Sequence, residues 1–377
     1  MIKICYVVTV PQTIRSFFIP QLKYLAANGF DVSVICSLDD TLKNELGESV
    51  KYIPVEIPRG ISLLGSLRAV KELKRIFAKE RFDIIQYSTP NAALYAAVAA
   101  KQAGCKARNY HLMGLRYLGA AGLGRRVLKT LEKITCHYST SIECVSRSNM
   151  ELGIRAGLFP PEKVTVVWNG STGGVDLNRF DFAKRQQWRR EVREKLGYSD
   201  EDFVYGFVGR ITGDKGVNEL LEAHFRLNGD AKLLLVGSME SVRTLDKALI
   251  NRAKSDPTVQ FHDVVSDVER YYAAIDVLVL PSYREGFGNV VIEAAAVGTP
   301  AIVSDIPGPT DAIERNKTAL VVPAKDVLAL SETMRRIRTM DVAEMGRNAV
   351  EYSATHFDSD ELCKKITERK KLLLGLR

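Results

Sequence analysis

Short, almost wholly apolar runs recur along this chain, each leading into a segment that reads as a helix. The clearest is Val277-Leu278-Val279-Leu280-Pro281-Ser282. Glu293-Ala294-Ala295-Ala296-Val297-Gly298 follows it, helix formers closed by a glycine. A strand that is apolar on both faces must be covered on both, and helices returning between parallel strands do this. The pattern therefore constrains the chain to an α/β architecture of parallel, doubly wound sheets. Strands are predicted at 2–9, 31–37, 52–57, 82–86, 106–110, 141–146 and 164–168, then at 203–209, 232–237, 259–263 and 300–304. Helices are predicted at 17–28, 66–79, 91–103 and 184–195, from 217 onward, and through the tail 358–377. Pro11-Gln12-Thr13 reads as a loop after the first strand, and Gly119 to Gly124 as a mobile loop.

A length of 377 residues suits about two domains. The turn-rich stretch from Asn169 to Asp176 marks the boundary, giving an N-terminal domain over 1–172 and a C-terminal domain over 173–357. With 46% hydrophobic and 26% charged residues the chain can build a substantial core. No apolar run reaches the roughly 18 residues that a membrane span needs. The opening Ile2 to Val8 is short, with Pro11 and Arg15 close behind, so it reads as a strand rather than a secretory signal. Cys5, Cys36, Cys105, Cys136, Cys144 and Cys363 are scattered without a C-x-x-C pair, which suits a reducing cytosol and offers no metal site. Asp358-Ser359-Asp360 is an Asp-x-Asp pair, but it precedes a predicted helix, where Asp is an ordinary cap.

The chemistry concentrates in Glu285-Gly286-Phe287-Gly288-Asn289-Val290-Val291-Ile292-Glu293, a strand-to-helix turn. In an open α/β sheet such turns lie at the carboxyl edge, where ligands bind. Gly286 and Gly288 permit close backbone approach. Asn289 can cap the helix, and the positive helix end suits a phosphate. Glu285 in the turn and Glu293 in the helix can accept hydrogen bonds from hydroxyls. Phosphate in the middle and hydroxyls at both ends describe a nucleotide sugar. A second glycine-rich turn, Arg210 to Gly216, places Arg210 and Lys215 before another helix, where the pair can grip a diphosphate.

The stretch 285–293 resembles the E-x7-E signature of retaining glycosyltransferases of the GT-B fold, family 4. Arg210-Ile211-Thr212-Gly213-Asp214-Lys215-Gly216 resembles that family's G-R-x-x-x-x-K-G segment, with Gly209 before it. Asn169 to Asp176 resembles its N-G-x-D entry to the second domain, lengthened by a small polar insertion. The resemblance implies two Rossmann-like domains facing a cleft, with a last helix at about 358–377 returning to the first domain. It implies a donor held by Arg210, Lys215, Glu285, Gly286, Phe287, Gly288, Asn289, Val290 and Glu293, with the base near Val265. His111, read as lying just beyond a strand, would line the transferred sugar. Thr13 would stand in the first loop, where many family members carry Gly-Gly. No metal and no other cofactor are implied. The segment Gln12 to Leu22 looks like members of capsule and O-antigen pathways, which extend sugars on polyprenyl diphosphate.

Charge is unevenly placed. Residues 1–169 hold 23 Lys and Arg against 13 Asp and Glu, a net of +10, whereas residues 170–377 hold 30 against 32, a net of −2. From Arg59 to Arg81 seven basic residues meet two acidic ones, with Ile61, Leu63, Leu64 and Leu67 interleaved. Arg108 to Lys133 repeats the bias, six against one. Such stretches suit an anionic membrane surface or an acidic acceptor, and the resemblance implies a cytoplasmic protein on the inner face of the membrane. No nucleic-acid motif is present. Two other readings stand beside a UDP-sugar-dependent transferase: a GT-B-fold nucleotide-sugar epimerase, and a non-catalytic sugar-nucleotide-binding subunit.

Overall fold

The computed structural model describes residues 1–58, 60, 63–239 and 244–376, the side chains of Leu63 and Leu64 excepted. Arg59, Ile61 and those two leucine side chains, part of the expected lipid-facing stretch, lie outside the described residues. Contacts divide the chain into two units, Met1–Gly173 with Asp360–Arg377, and Gly174–Ser359.

The first unit is built on seven parallel strands: β1 (Ile2–Val7), β2 (Phe30–Cys36), β3 (Val50–Pro54), β4 (Ile84–Tyr87), β5 (Ala107–Leu112), β6 (Ser141–Cys144) and β7 (Val164–Val166). Their order is β3-β2-β1-β4-β5-β6-β7. The helices between them are α1 (Pro11–Phe17), α2 (Ile19–Ala27), α3 (Leu42–Leu46), α4 (Leu63–Glu80), α5 (Pro90–Gln102), α6 (Gly122–Tyr138) and α7 (Arg147–Arg155). Side chains alternate across a strand, so β1 serves two cores. Ile4 and Tyr6 pack with Phe18, Leu22 and Leu25 on one face. Cys5 and Val7 pack with Leu73, Phe77 and Tyr87 on the other.

The second unit repeats the plan. It holds α8 (Arg185–Leu196), β8 (Val204–Val208), α9 (Val217–Phe225), β9 (Lys232–Val236), α10 (Lys247–Ser255), β10 (Val259–His262) and α11 (Val268–Ala274). It continues with β11 (Val277–Leu280), α12 (Asn289–Ala296), β12 (Ala301–Ser304), β13 (Ala319–Val322), α13 (Val327–Ile337) and α14 (Val342–Phe357). The sheet runs β10-β9-β8-β11-β12-β13. A last helix, α15 (Ser359–Leu372), lies with the first unit from Asp360 onward. In each sheet the order reverses beside the first strand, between β1 and β4 and between β8 and β11. Connections leave such a point in opposite directions and open a crevice at the carboxyl ends. Among the described residues no helix is long and apolar enough to cross a membrane.

Three local expectations need correction. Pro11-Gln12-Thr13 is not a loop but the first turn of α1, with proline at the start of the helix. A missing N–H and a fixed φ suit that position. The single helix expected over 17–28 is accordingly two, separated at Phe18, with Pro20 in the first turn of α2. The loop expected from Gly119 to Gly124 shrinks to 120–121, because a 3-10 turn covers Arg116–Gly119 and α6 starts at Gly122.

Candidate functional site

At the switch point of the second unit, β8 runs into Gly209 and Arg210, then into a 3-10 turn over Gly213–Lys215, and α9 starts after Gly216. Beside it β11 runs into Pro281 to Gly288, and α12 starts at Asn289. The two turns touch through their backbones. Gly216 has φ +73, and a Cβ there would stand 2.1 Å from the carbonyl oxygen of Pro281. The Tyr283 N–H donates to the Asp214 carbonyl at 3.0 Å. Gly288, with φ 95, fills the N-cap of α12. Asn289 is therefore not the cap but the first helical residue; a left-handed cap costs glycine least. Neither α9 nor α12 carries a side-chain cap at its N-terminus.

The crevice brings together two of the sequence-selected side chains. Lys215 Nζ lies 2.6 Å from Glu285 Oε1, and the same oxygen accepts from Ser282 Oγ at 2.8 Å. Arg210 stands exposed at the end of β8. Asp214 is held below the usual carboxylate range: burial acts upward, but the Thr212 hydroxyl and the charges of Arg210, Lys215 and Arg284 outweigh it. Around this knot the Tyr283 hydroxyl donates to Glu219, and Lys325 lies over the Tyr283 ring at 4.5 Å. Sequence reading missed Ser282, Asp214, Tyr283 and Arg284. Polar residues beside a glycine turn are the only signal it offered for them.

Glu293 lies in the second turn of α12, partly buried, and accepts from the Tyr272 hydroxyl at 2.8 Å. Burial raises its pKa, against the Tyr272 bond and Arg179, while Glu269 adds to the rise. Arg179 is itself paired with Glu269 at 2.9 Å. Gly286, Val290 and Val265 are half-buried, Val265 in the loop after β10. Phe287 stands between Gly286 and Val290. Its ring is buried and packs edge-on against Phe357 of α14 at 5.3 Å, so the backbone is what this residue offers the crevice.

The remaining selected residues, His111 and Thr13, belong to the first unit. Thr13 is half-buried in α1, its N–H bonded to Val10. His111 lies inside β5 rather than beyond it, because β5 stays paired to β6 through His111↔Glu143 and Leu112↔Cys144. The imidazole is 6% exposed, with Phe18 edge-on at 5.7 Å. Burial pushes its pKa down to about 4; Glu143 acts upward and Lys370 downward. Among the described residues no group of three or more His, Cys, Asp or Glu is placed to hold a metal ion.

Two parallel Rossmann-like sheets with this strand order define a protein of GT-B architecture, and comparison with solved structures agrees. The Anabaena protein HepE in complex with UDP-glucose superposes with a TM-score of 0.80 at 19% identity, covering 98% of this chain and 100% of that one. The chain belongs to the family 4 (group 1) glycosyltransferases: residues 21–178 match the model Glycosyltransferase Family 4, and residues 189–356 match Glycosyl transferases group 1. It is similar to the capsular polysaccharide biosynthesis glycosyltransferase CapM of Staphylococcus aureus, 31% identical over 339 residues, 89% of this chain and 87% of that one. It is also similar to an Escherichia coli UDP-Gal:alpha-D-GlcNAc-diphosphoundecaprenol alpha-1,3-galactosyltransferase, 25% identical over 89% of this chain and 88% of the relative.

Proposed function

We propose that this glycosyltransferase moves a sugar from a UDP-linked donor to a saccharide carried on polyprenyl diphosphate. Transfer keeps the anomeric configuration, needs no metal, and serves capsule or O-antigen assembly at the inner face of the cytoplasmic membrane. The observation that carries the reading is the contact between Lys215 and Glu285, 2.6 Å apart at the carboxyl edge of the second sheet. A diphosphate arriving there meets Lys215 and Arg210, with the start of α12 adding its dipole. The charge that grows on the leaving diphosphate is the largest electrostatic demand of such a reaction, and these cations meet it. Glu285 then accepts from a hydroxyl of the donor sugar and Glu293 from the ribose hydroxyls, while His111 lines the transferred sugar. The names of the relatives support the acceptor class: the Escherichia coli protein acts on a sugar linked to diphosphoundecaprenol.

The test incubates purified protein with UDP-sugars and a synthetic polyprenyl-diphosphate saccharide, with and without excess EDTA. UDP should be released only when the acceptor is present, EDTA should not abolish it, and the product should keep the donor's anomeric configuration by NMR. A sugar altered without acceptor would make the protein an epimerase. Loss in EDTA that manganese or magnesium restores would overturn the metal-free reading.

A further inference from the structure

A buried polar cluster in the first unit is used by nothing described so far. Glu143 of β6 and Lys370 of α15 form an ion pair at 2.5 Å, both side chains almost wholly buried. Arg369 Nε stands 3.7 Å from the other carboxylate oxygen of Glu143. Register pairs His111 with Glu143 across β5 and β6, and registered neighbours share a face of the sheet. His111, Glu143, Lys370, Gln21 and Gln86 line one cavity of about 10 Å³, which is room for about one water molecule. Four buried polar atoms around it have no hydrogen-bond partner among the described residues: both ring nitrogens of His111, Gln21 Oε1 and Glu143 Oε1. Buried polar groups are rarely left unsatisfied, and those that are call for an explanation.

We propose that Glu143 and Lys370 are positioning residues for His111: one water in the shared cavity accepts from a ring N–H and donates to Glu143 Oε1, which fixes the tautomer and presents the other ring nitrogen as an acceptor. The functional part of this inference rests on the role given to His111 above. The charged and titratable groups around the ring are Glu143 and Cys144 from β6 and Lys370 from α15, with Arg369 of α15 3.7 Å from Glu143 and Tyr6 of β1 interacting with it, while Gln86 from β4 and Gln21 from α2 are neutral. Lys370 is essential to the arrangement, because it balances a carboxylate that would otherwise draw a proton onto the imidazole. Burial is the first cause of the low pKa of His111, with Glu143 acting upward and Lys370 downward upon it. The neutral ring thus depends on a side chain delivered by the last helix of the chain.

The experiment uses the full chain labelled with nitrogen-15 in histidine, wild type against Lys370→Met, Lys370→Arg and the double variant Glu143→Gln/Lys370→Met. In wild type the two ring nitrogens of His111 should show separate shifts of a single tautomer that persists well below neutral pH. Lys370→Met leaves Glu143 with only Arg369, 3.7 Å away, to balance it, so His111 should titrate about one pH unit or more higher, and Lys370→Arg should restore the wild-type value. The acid limb of the transfer rate should move with the His111 titration. If Lys370→Met does not fold, the double variant carries the test: its titration should return to the wild-type range while the single-tautomer signature is lost. A His111 titration and tautomer unchanged in every folded variant would overturn the proposal. The NMR arm needs no transfer reaction, so failure of the positioning role and failure of the proposed function are read separately.

Discussion

Lys215 and Glu285 occupy each other in the structure, and exchanging one at a time separates what each does. Their side chains are 18% and 13% exposed, between the surface regime, where such pairs contribute about 0–1 kcal/mol, and the buried regime, where breaking one costs about 3–5 kcal/mol. Lys215→Met or Glu285→Gln should therefore lower folding stability by about 1–3 kcal/mol. Binding of UDP without its sugar should respond in opposite directions. Lys215→Met removes a charge-assisted bond to the diphosphate, about 1.5–3 kcal/mol, or roughly ten- to hundredfold in Kd. Glu285→Gln removes the carboxylate that competes with the diphosphate for Lys215, so UDP should bind about 1 kcal/mol tighter, roughly fivefold. The same variant should lose the extra affinity of UDP-sugar over UDP, because a donor hydroxyl no longer meets a carboxylate. Calorimetric titration of the three proteins with UDP and UDP-sugar reads all of this. If both substitutions weaken UDP binding alike, or neither changes it, the pair is structural and the diphosphate lies elsewhere.

Other perturbations follow from the same geometry. Glu132 of α6 is buried and accepts from the Tyr110 hydroxyl at 2.6 Å; burial, against that bond, pushes its carboxyl up to about 7. A raised carboxyl stabilises the fold fully below its unfolded pKa and loses that contribution as pH rises through 7. Glu132→Gln should therefore raise folding stability at pH 8 by on the order of 2 kcal/mol, seen as a higher Tm, and change little at pH 4.5; an equal effect at both pH values in thermal melts would contradict this. Gly216→Ala should destabilise the second unit by about 2 kcal/mol or more and weaken UDP binding, since its Cβ would sit 2.1 Å from the Pro281 carbonyl at φ +73; unchanged melting would dismiss the crowded turn. Arg68, Lys71, Lys74 and Arg75 of α4, beside the exposed Leu67, should bind anionic liposomes at about 1 kcal/mol per basic residue. Changing all four to Glu should abolish salt-sensitive co-sedimentation, and equal sedimentation of both proteins would remove α4 from the membrane account.

What the sequence disclosed and what it withheld differ in range. Fold class was legible because a parallel strand covered on both faces leaves a local mark: Val277-Leu278-Val279-Leu280 cannot be read as half-solvated. The Gly-Phe-Gly turn was legible for the same local reason. Pro11 was misread because proline stops a helix in its interior and starts one at its first turn, and only the following residues decide which. The direction of the Phe287 ring was not legible, because an aromatic ring between two glycines can face a ligand or a core, and Phe357, seventy positions later, settles it. The pairings Lys215–Glu285 and Tyr272–Glu293 join residues that no periodicity connects. Glu143 and Lys370 stand 227 positions apart and looked like an ordinary strand Glu and an ordinary helix Lys.

The placement of α15 has a consequence for biosynthesis. Ribosomes deliver the chain from its N-terminus, so the first unit emerges long before residues 360–376, which wait until the whole second unit has been made. Until then Glu143 lacks its cation and Cys363 and Ile366 leave apolar surface open. Burial of that surface and the Glu143–Lys370 pair are gained only when α15 arrives. The first unit is thus completed only after the second has been made.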